Sequence, residues 1–234
     1  MRLDIVLTNK KFADSREKAK YLIREGYVKV DGSVVTKPSK NISENSRIVL
    51  IKDFEFVGRG GYKIDTAIKH FKINFKDKIV ADVGCSTGGF TDYALRHGAK
   101  KVYAIDIGDP LYETLKKNKR VIYLPNSDVR NVKNLDEKID ICLIDVTFLP
   151  LEEILLNIKK WLKENGEVLG LIKPPFELPG KPKKIYNYEK CFEIAEKVSN
   201  WATENGYEVK GLIDSELKGK SSKQQEFFIY LINK

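Results

Sequence analysis

A chain of 234 residues with 42% hydrophobic residues, 11 Tyr and 11 Phe is long enough for one ordinary domain plus a small one, and too apolar for disorder. No apolar run reaches the roughly 18 residues of a membrane helix, and MRLDIVLTNKKF lacks the apolar core of a secretion signal, so a cytoplasmic location with no membrane partner is expected. Cys85, Cys142 and Cys191 have no paired spacing and only two histidines are present, which argues against a disulfide framework and against a metal site. The net charge of +9 is uneven: residues 1–60 hold 13 Lys and Arg against 8 Asp and Glu, more than half of the excess. A basic module joined to a nearly neutral one reads as a binder of polyanions.

In the basic segment, Leu3, Val6 and Leu7 have the spacing of a short helix. Asp14 with Glu17 three positions on is a capping-box signature for a second helix, and Gly26 is its stop. Ala19, Leu22 and Ile23 share its apolar face, while Arg16, Lys20 and Arg24 fall four apart on a basic one. YVKV and SVV then flank Asp31-Gly32, the dipeptide of a two-residue hairpin turn, and RIVLI at 47–51 adds a strand. This order resembles the alpha-L (S4-like) RNA-binding motif, a small α+β domain. The resemblance implies that Arg2, Lys10, Arg16, Lys20 and Arg24 meet structured RNA, and Arg59 is expected to contact RNA as well. The expected division is a 1–52 RNA-binding domain, a 53–60 linker marked by the charge and glycine of KDFEFVGRGG, and a 61–234 catalytic domain.

From 61 onward helices and strands alternate. Helices are expected near 62–71, after Gly89, near 111–117, over 150–164 and over 188–205. Strands are expected at KIVADVG, KVYAIDIG, VIYL, IDICLID, EVLGLIK, YEVKGLI and EFFIYLI. Alternation predicts an α/β fold with a mostly parallel sheet, and the last two strands, with no helix between them, predict an antiparallel finish.

The chemistry concentrates in DVGCSTGGFTD at 82–92. Gly84, Gly88 and Gly89 let a strand turn sharply into a helix and let a ligand approach bare backbone N–H groups. The spacing departs from the dinucleotide fingerprint at Ser86 and from the P-loop at Phe90. Asp106 ends the next strand, 22 positions after Gly84, where an acid accepts from ribose hydroxyls; Asp128 in PNSDVRNV is set to meet an adenine amino group. A glycine turn followed by strand-end acids resembles a Rossmann-like class I S-adenosylmethionine-dependent methyltransferase with a seven-stranded sheet. The cofactor residues it implies are Asp82, Gly84, Cys85, Ser86, Thr87, Gly88, Gly89 and Phe90 in the turn, with Asp106, Ile107, Asp128 and Val129 beyond it.

Four further residues narrow the resemblance. Lys63 in GRGGYKI, Asp145 in LIDVTFL, Lys173 in LIKPPFE and Glu226 in QQEFFIY match, in order and strand context, the Lys-Asp-Lys-Glu tetrad of FtsJ-type ribose 2'-O-methyltransferases. With the alpha-L module in front, the whole chain is similar to the TlyA (haemolysin A) family of rRNA methyltransferases. It departs from that family's usual pattern at Cys85, at Asp109-Pro110-Leu111, at Pro175 and in KGKSSKQQE before the glutamate, but keeps the tetrad. Lys218, Lys220 and Lys223 keep the last loop basic for phosphate contact, and GKPKK at 180–184, which follows the LIKPPFE strand end, reads either as a border of the same RNA groove or as a solvated loop.

The resemblance implies methylation of ribosomal RNA, at cytidine of the small or large subunit or both, with S-adenosylmethionine as cofactor, S-adenosylhomocysteine as product, and rRNA or ribosomal subunits as partners. Lys173 is expected nearest the reacting hydroxyl, as base or as stabiliser of developing oxyanion charge. Asp145 would orient it, and Glu226 would hold Lys63 and the ribose. Two other readings compete: a ribosome-assembly factor that binds RNA without turnover, and a pore-forming cytolysin, for which the chain has neither a membrane-length apolar run nor a long amphipathic basic helix.

Overall fold

The computed structural model describes residues 1–234 except 14, 25, 52–55, 57–58, 181–186 and 217–223. The chain divides into two compact units, Met1–Gly58 and Arg59–Lys234.

The first unit pairs α1 (Leu3–Asn9) with α2 (Arg16–Arg24). Leu3, Val6 and Leu7 of α1 and Ala19, Leu22 and Ile23 of α2 are buried in one small core, as their spacing predicts. The helix-start bond observed at α2 is one residue later than Asp14: the Ser15 hydroxyl accepts from the Lys18 backbone N–H at 3.1 Å, a standard N-cap bond. The Asp14 cap itself falls outside the described residues. A three-stranded antiparallel sheet in the order β2-β1-β3 follows, from β1 (Val28–Val30), β2 (Ser33–Val34) and β3 (Ile48–Leu50). Asp31 and Gly32 both have positive φ, 50° and 83°, the backbone a primed two-residue turn requires.

The second unit holds α3 (Arg59–Phe71), β4 (Ile79–Val83), α4 (Gly89–Arg96), β5 (Lys101–Ile105), α5 (Glu113–Lys116), β6 (Val121–Leu124) and β7 (Ile139–Ile144). It continues with α6 (Leu151–Ile158), β8 (Leu162–Ile172), α7 (Tyr188–Glu204), β9 (Tyr207–Asp214) and β10 (Phe227–Asn233). The sheet order is β6-β5-β4-β7-β8-β10-β9. β4 to β8 are parallel where paired, and β10 lies antiparallel between β8 and β9. Ala81, Val83, Tyr103, Cys142, Ile144 and Phe227 share one core with α6 and α7. By strand alternation their neighbours face the other side, where Phe71 of α3 packs on Tyr230 at 5.0 Å.

Two elements differ from expectation. The helix over 150–164 ends at Ile158; a short 3₁₀ turn, Lys159–Trp161, leads straight into β8. Trp161 and Leu162 are buried, so their apolar character continues the helical pattern although the backbone has already turned. At the other end, α3 starts at Arg59, inside the glycine stretch expected as linker. Gly60 sits where an added Cβ would lie 3.4 Å from the Cα of Gly89, and one on Gly89 would lie 2.9 Å from the Cα of Gly60. These glycines therefore allow two helix starts to touch.

Parallel strands run to either side of β4, β5 towards one edge and β7 towards the other. Their C-terminal ends at that reversal form the crevice where open α/β sheets bind ligands.

Candidate active site

The four tetrad side chains come from four different elements and meet in a row at those strand ends. Lys63 is carried by α3, Asp145 follows β7, Lys173 follows β8, and Glu226 precedes β10. Lys173 Nζ lies 2.5 Å from Asp145 Oδ1, Asp145 Oδ2 lies 3.5 Å from Lys63 Nζ, and Lys63 Nζ lies 2.6 Å from Glu226 Oε2. Charges alternate along the row, so the buried Lys173 and Glu226 and the half-buried Lys63 and Asp145 each have an opposite neighbour, a condition for tolerating buried ions. Burial pushes the Asp145 carboxyl up, but the ammonium groups of Lys173 and Lys63 more than offset it and hold the group below its ordinary value.

Backbone bonds fix where these side chains start. The Asp145 N–H donates to the Val83 carbonyl at 3.0 Å, extending the β4–β7 ladder by one step. The Glu226 carbonyl accepts from the Ser215 N–H at 2.8 Å, which ties the segment before β10 to the end of β9.

Three residues near the row escaped the sequence reading. The Thr147 hydroxyl accepts from Lys173 Nζ at 3.0 Å. Glu177 accepts from the Leu151 N–H at 2.8 Å and from the Lys173 N–H at 3.4 Å, joining the start of α6 to the strand end of Lys173. Phe148 is 77% exposed and has φ of 73°, an unusual backbone for an aromatic residue. Their signal was present in DVTFLP and KPPFE, since the loop after a parallel strand is where such folds place function.

The glycine turn follows β4. Gly84 and Gly88 have φ of 80° and 98°, and Ser86 has 50°. Asp106 braces the turn, accepting from the Ser86 N–H at 2.9 Å and from the Gly108 N–H at 2.9 Å. Cys85, Gly88, Gly89 and Phe90 are buried, Thr87 is half-buried, and Ile107 is 73% exposed beside Asp106. Both oxygens of Asp128 are engaged by the Arg130 guanidinium, with 2.6 Å to Oδ2, so an adenine amino group would share that carboxylate with an arginine. Val129 is buried next to it.

Asp82 tests whether these residues suit an S-adenosylmethionine-like group. It is fully buried; its Oδ2 accepts from the Thr91 hydroxyl at 2.6 Å, while its Oδ1 has no hydrogen-bond partner. Burial, with Asp145 and Asp106 nearby, raises its carboxyl to about 7. An acid-rich site with an unpaired carboxyl oxygen suits a molecule that brings hydroxyl and ammonium donors and a positive charge. The donor set fits.

The FtsJ-like methyltransferase model matches residues 56–233 and the S4 domain model matches residues 1–48. The chain belongs to the FtsJ-like methyltransferase family. Within it, the chain is 29% identical to "16S/23S rRNA (cytidine-2'-O)-methyltransferase TlyA" of Mycobacterium tuberculosis, over 98% of this chain and 89% of that one. It is 36% identical to "Hemolysin A" of Brachyspira hyodysenteriae over 76% of this chain and 75% of that one. A solved structure, "Putative hemolysin from Streptococcus thermophilus", superposes with a TM-score of 0.76 at 31% identity, covering 100% of this chain and 88% of that one.

Among the basic residues expected to meet RNA, Arg2 and Arg16 converge on Asp4. Lys20 and Arg24 lie on α2, and Lys10 Nζ donates to the Glu44 carbonyl at 2.9 Å. Arg59 is the first residue of α3. Lys218, Lys220 and Lys223, and all of GKPKK after Gly180, fall outside the described residues.

Proposed function

We propose that this family member methylates the ribose 2'-hydroxyl of ribosomal RNA, with cytidine as the target nucleotide and S-adenosylmethionine as methyl donor. The observation that carries the reading is the row Glu226–Lys63–Asp145–Lys173 at the mouth of a glycine turn. The S4 domain match in front of it and the rRNA substrate in a relative's name support the substrate class. The cytoplasm is the expected place of work.

S-adenosylmethionine, when bound, supplies a methyl group already activated by a sulfonium. The residues that would hold it are Asp82, the turn from Gly84 to Phe90, Asp106 and Ile107, and Asp128 with Val129. What is left for the protein is to align the 2'-hydroxyl and to manage one proton. Lys173 Nζ has three hydrogen-bonding directions; Asp145 takes one and Thr147 another, which leaves one for the substrate oxygen. In that direction an ammonium stabilises the developing oxyanion and a neutral amine accepts the proton. Lys63, fixed between two carboxylates, is the second cation and holds the ribose with Glu226.

The haemolysin wording of some relatives points to a membrane. Among the described residues no helix is long and apolar enough to cross one.

The deciding experiment is transfer of a labelled methyl group to unmodified small subunits, large subunits and their naked rRNAs, by wild type and by Lys173→Ala. The expected result is label in ribose, resistant to alkali and lost in the variant. No label in any fraction, with RNA binding intact, would instead favour an assembly factor.

A further inference from the structure

Asp4 is an acid in the middle of a basic surface, and the structure buries it completely. Its Oδ1 accepts from Arg2 Nε at 2.9 Å, and its Oδ2 accepts from Arg2 Nη2 at 3.0 Å and from Arg16 Nε at 3.0 Å. The bonds to Arg2, assisted by Arg16, hold the carboxyl down at about 2 against the effect of burial, so it stays ionised at any physiological pH. A buried carboxylate is tolerated only when paired and fully hydrogen-bonded, and here two arginines 14 positions apart supply the partners. Their own side chains remain 42% and 46% exposed.

The consequence is geometric. Two guanidinium groups would repel if brought side by side in isolation; the shared Oδ2 beneath them holds them together. Arg2 spends one fork edge on Asp4 and Arg16 spends its Nε, which leaves most N–H donors of both pointing away from the acid. Arg2 is itself anchored, since its backbone bridges to Asn41 and the next two N–H groups donate to Lys40 and Pro38 at 2.9 and 3.1 Å. The cluster carries a net single positive charge presented as two planar forks, the geometry that matches phosphate oxygens.

We propose that Asp4 is a positioning residue that joins Arg2 and Arg16 into one clamp for a backbone phosphate of folded RNA. This rests on the RNA-binding reading of the N-terminal unit and adds to it a residue whose charge has the wrong sign for RNA. That sign makes the proposal testable. Asp4→Asn raises the net charge by one, so simple attraction between protein and RNA predicts tighter binding. Loss of the clamp predicts weaker binding.

Filter binding of the full-length protein to naked 16S and 23S rRNA transcripts, over a salt titration, reads both. The expected result is about tenfold weaker binding by Asp4→Asn, with a shallower slope of log K against log salt. Arg2→Lys and Arg16→Lys, which keep the charge but lose the fork, should each weaken binding several-fold in the wild-type background and much less in the Asp4→Asn background. If Asp4→Asn fails to fold, the Arg2→Lys/Arg16→Lys double variant decides: one joined clamp predicts a loss well short of the product of the two single losses, and independent, multiplicative losses would overturn it. Asp4→Asn that folds and binds as well as wild type or better would overturn the clamp, as would lysine variants that bind normally. Wild-type protein that binds neither transcript would overturn the RNA reading and the clamp with it.

Discussion

Gly84 lies so close to Asp145 that a Cβ on it would sit 2.7 Å from the Asp145 carbonyl oxygen. The first glycine of the turn after β4 and the acid that follows β7 are therefore backed against each other, and a change in one is felt by the other. Gly84→Ala forces an L side chain into φ of 80° and pushes on backbone that is tied to β4. We expect a loss of stability of about 2–4 kcal/mol, together with methyl transfer reduced beyond the cofactor affinity change. Thermal melts with cofactor titration measure both; a variant as stable and active as wild type would separate the two sites.

The row of alternating charges predicts non-additive losses. Lys63→Ala leaves Glu226, only 7% exposed, without its cation, at a cost of roughly 2–4 kcal/mol. Glu226→Ala leaves Lys63 with Asp145 alone. The double variant removes both charges, so its stability loss should be smaller than the sum of the singles by about 1–3 kcal/mol. Activity should be lost in all three. Additive unfolding free energies would show that the 2.6 Å contact does not couple the two residues.

Two carboxyls, Asp82 fully buried and Glu177 half-buried, make stability fall as pH rises from about 4 to 7. Asp82 and Glu177 are both pushed by burial up to about 7. Below about pH 4 these groups are protonated in the folded and the unfolded chain alike. Between about 4 and 7 the unfolded chain releases protons that the folded one keeps, so stability falls as pH rises, and above 7 the loss is complete. For Asp82 alone this amounts to as much as about 4 kcal/mol. Asp82→Asn can still accept from Thr91 and removes the titration, so it should be more stable than wild type at pH 8 and closer to it at pH 5. Denaturant unfolding at the two pH values checks this; an unchanged difference between them would rule Asp82 out as its source.

Much of this site could be read from residues alone, and the reasons differ by element. β4, β5 and β7 are short apolar runs ending in an acid or a glycine, a pattern a buried parallel strand shares with few alternatives. Lys63, Asp145, Lys173 and Glu226 are each unremarkable singly and became legible through order and strand context. What stayed hidden depended on rotamers and on packing between distant segments. The hold of Arg130 on Asp128 is a choice of side-chain conformation. The approach of Gly60 to Gly89 joins positions 29 apart, so the glycines of GRGG read as linker rather than as a helix contact. Glu177 reaches back to Leu151, 26 positions earlier, and no local pattern announces that.

Phe148 gives the last prediction. A large aromatic ring 77% exposed on a backbone of φ 73° is costly twice over, in hydration and in strain of about 1–3 kcal/mol. Neither cost is offset by burial, since its ring partner among the described residues, Phe176, meets it edge-on at 5.2 Å. It stands one residue from Thr147, which contacts Lys173. An RNA base turned out of its helix to reach Lys173 needs a surface to stack on, and an exposed ring next in sequence to the lysine's hydroxyl partner offers one. Stacking of a base on an aromatic ring is worth about 1–3 kcal/mol, so Phe148→Gly should reduce methyl transfer about 5- to 160-fold through the apparent affinity for RNA. Because glycine relieves the positive φ, the same variant should melt at the same temperature as wild type or higher. Phe148→Tyr should retain most activity. Steady-state transfer rates against RNA concentration, with melts in parallel, test the pair of effects, and a Phe148→Gly variant with wild-type kinetics would leave the exposed ring without a part in the reaction.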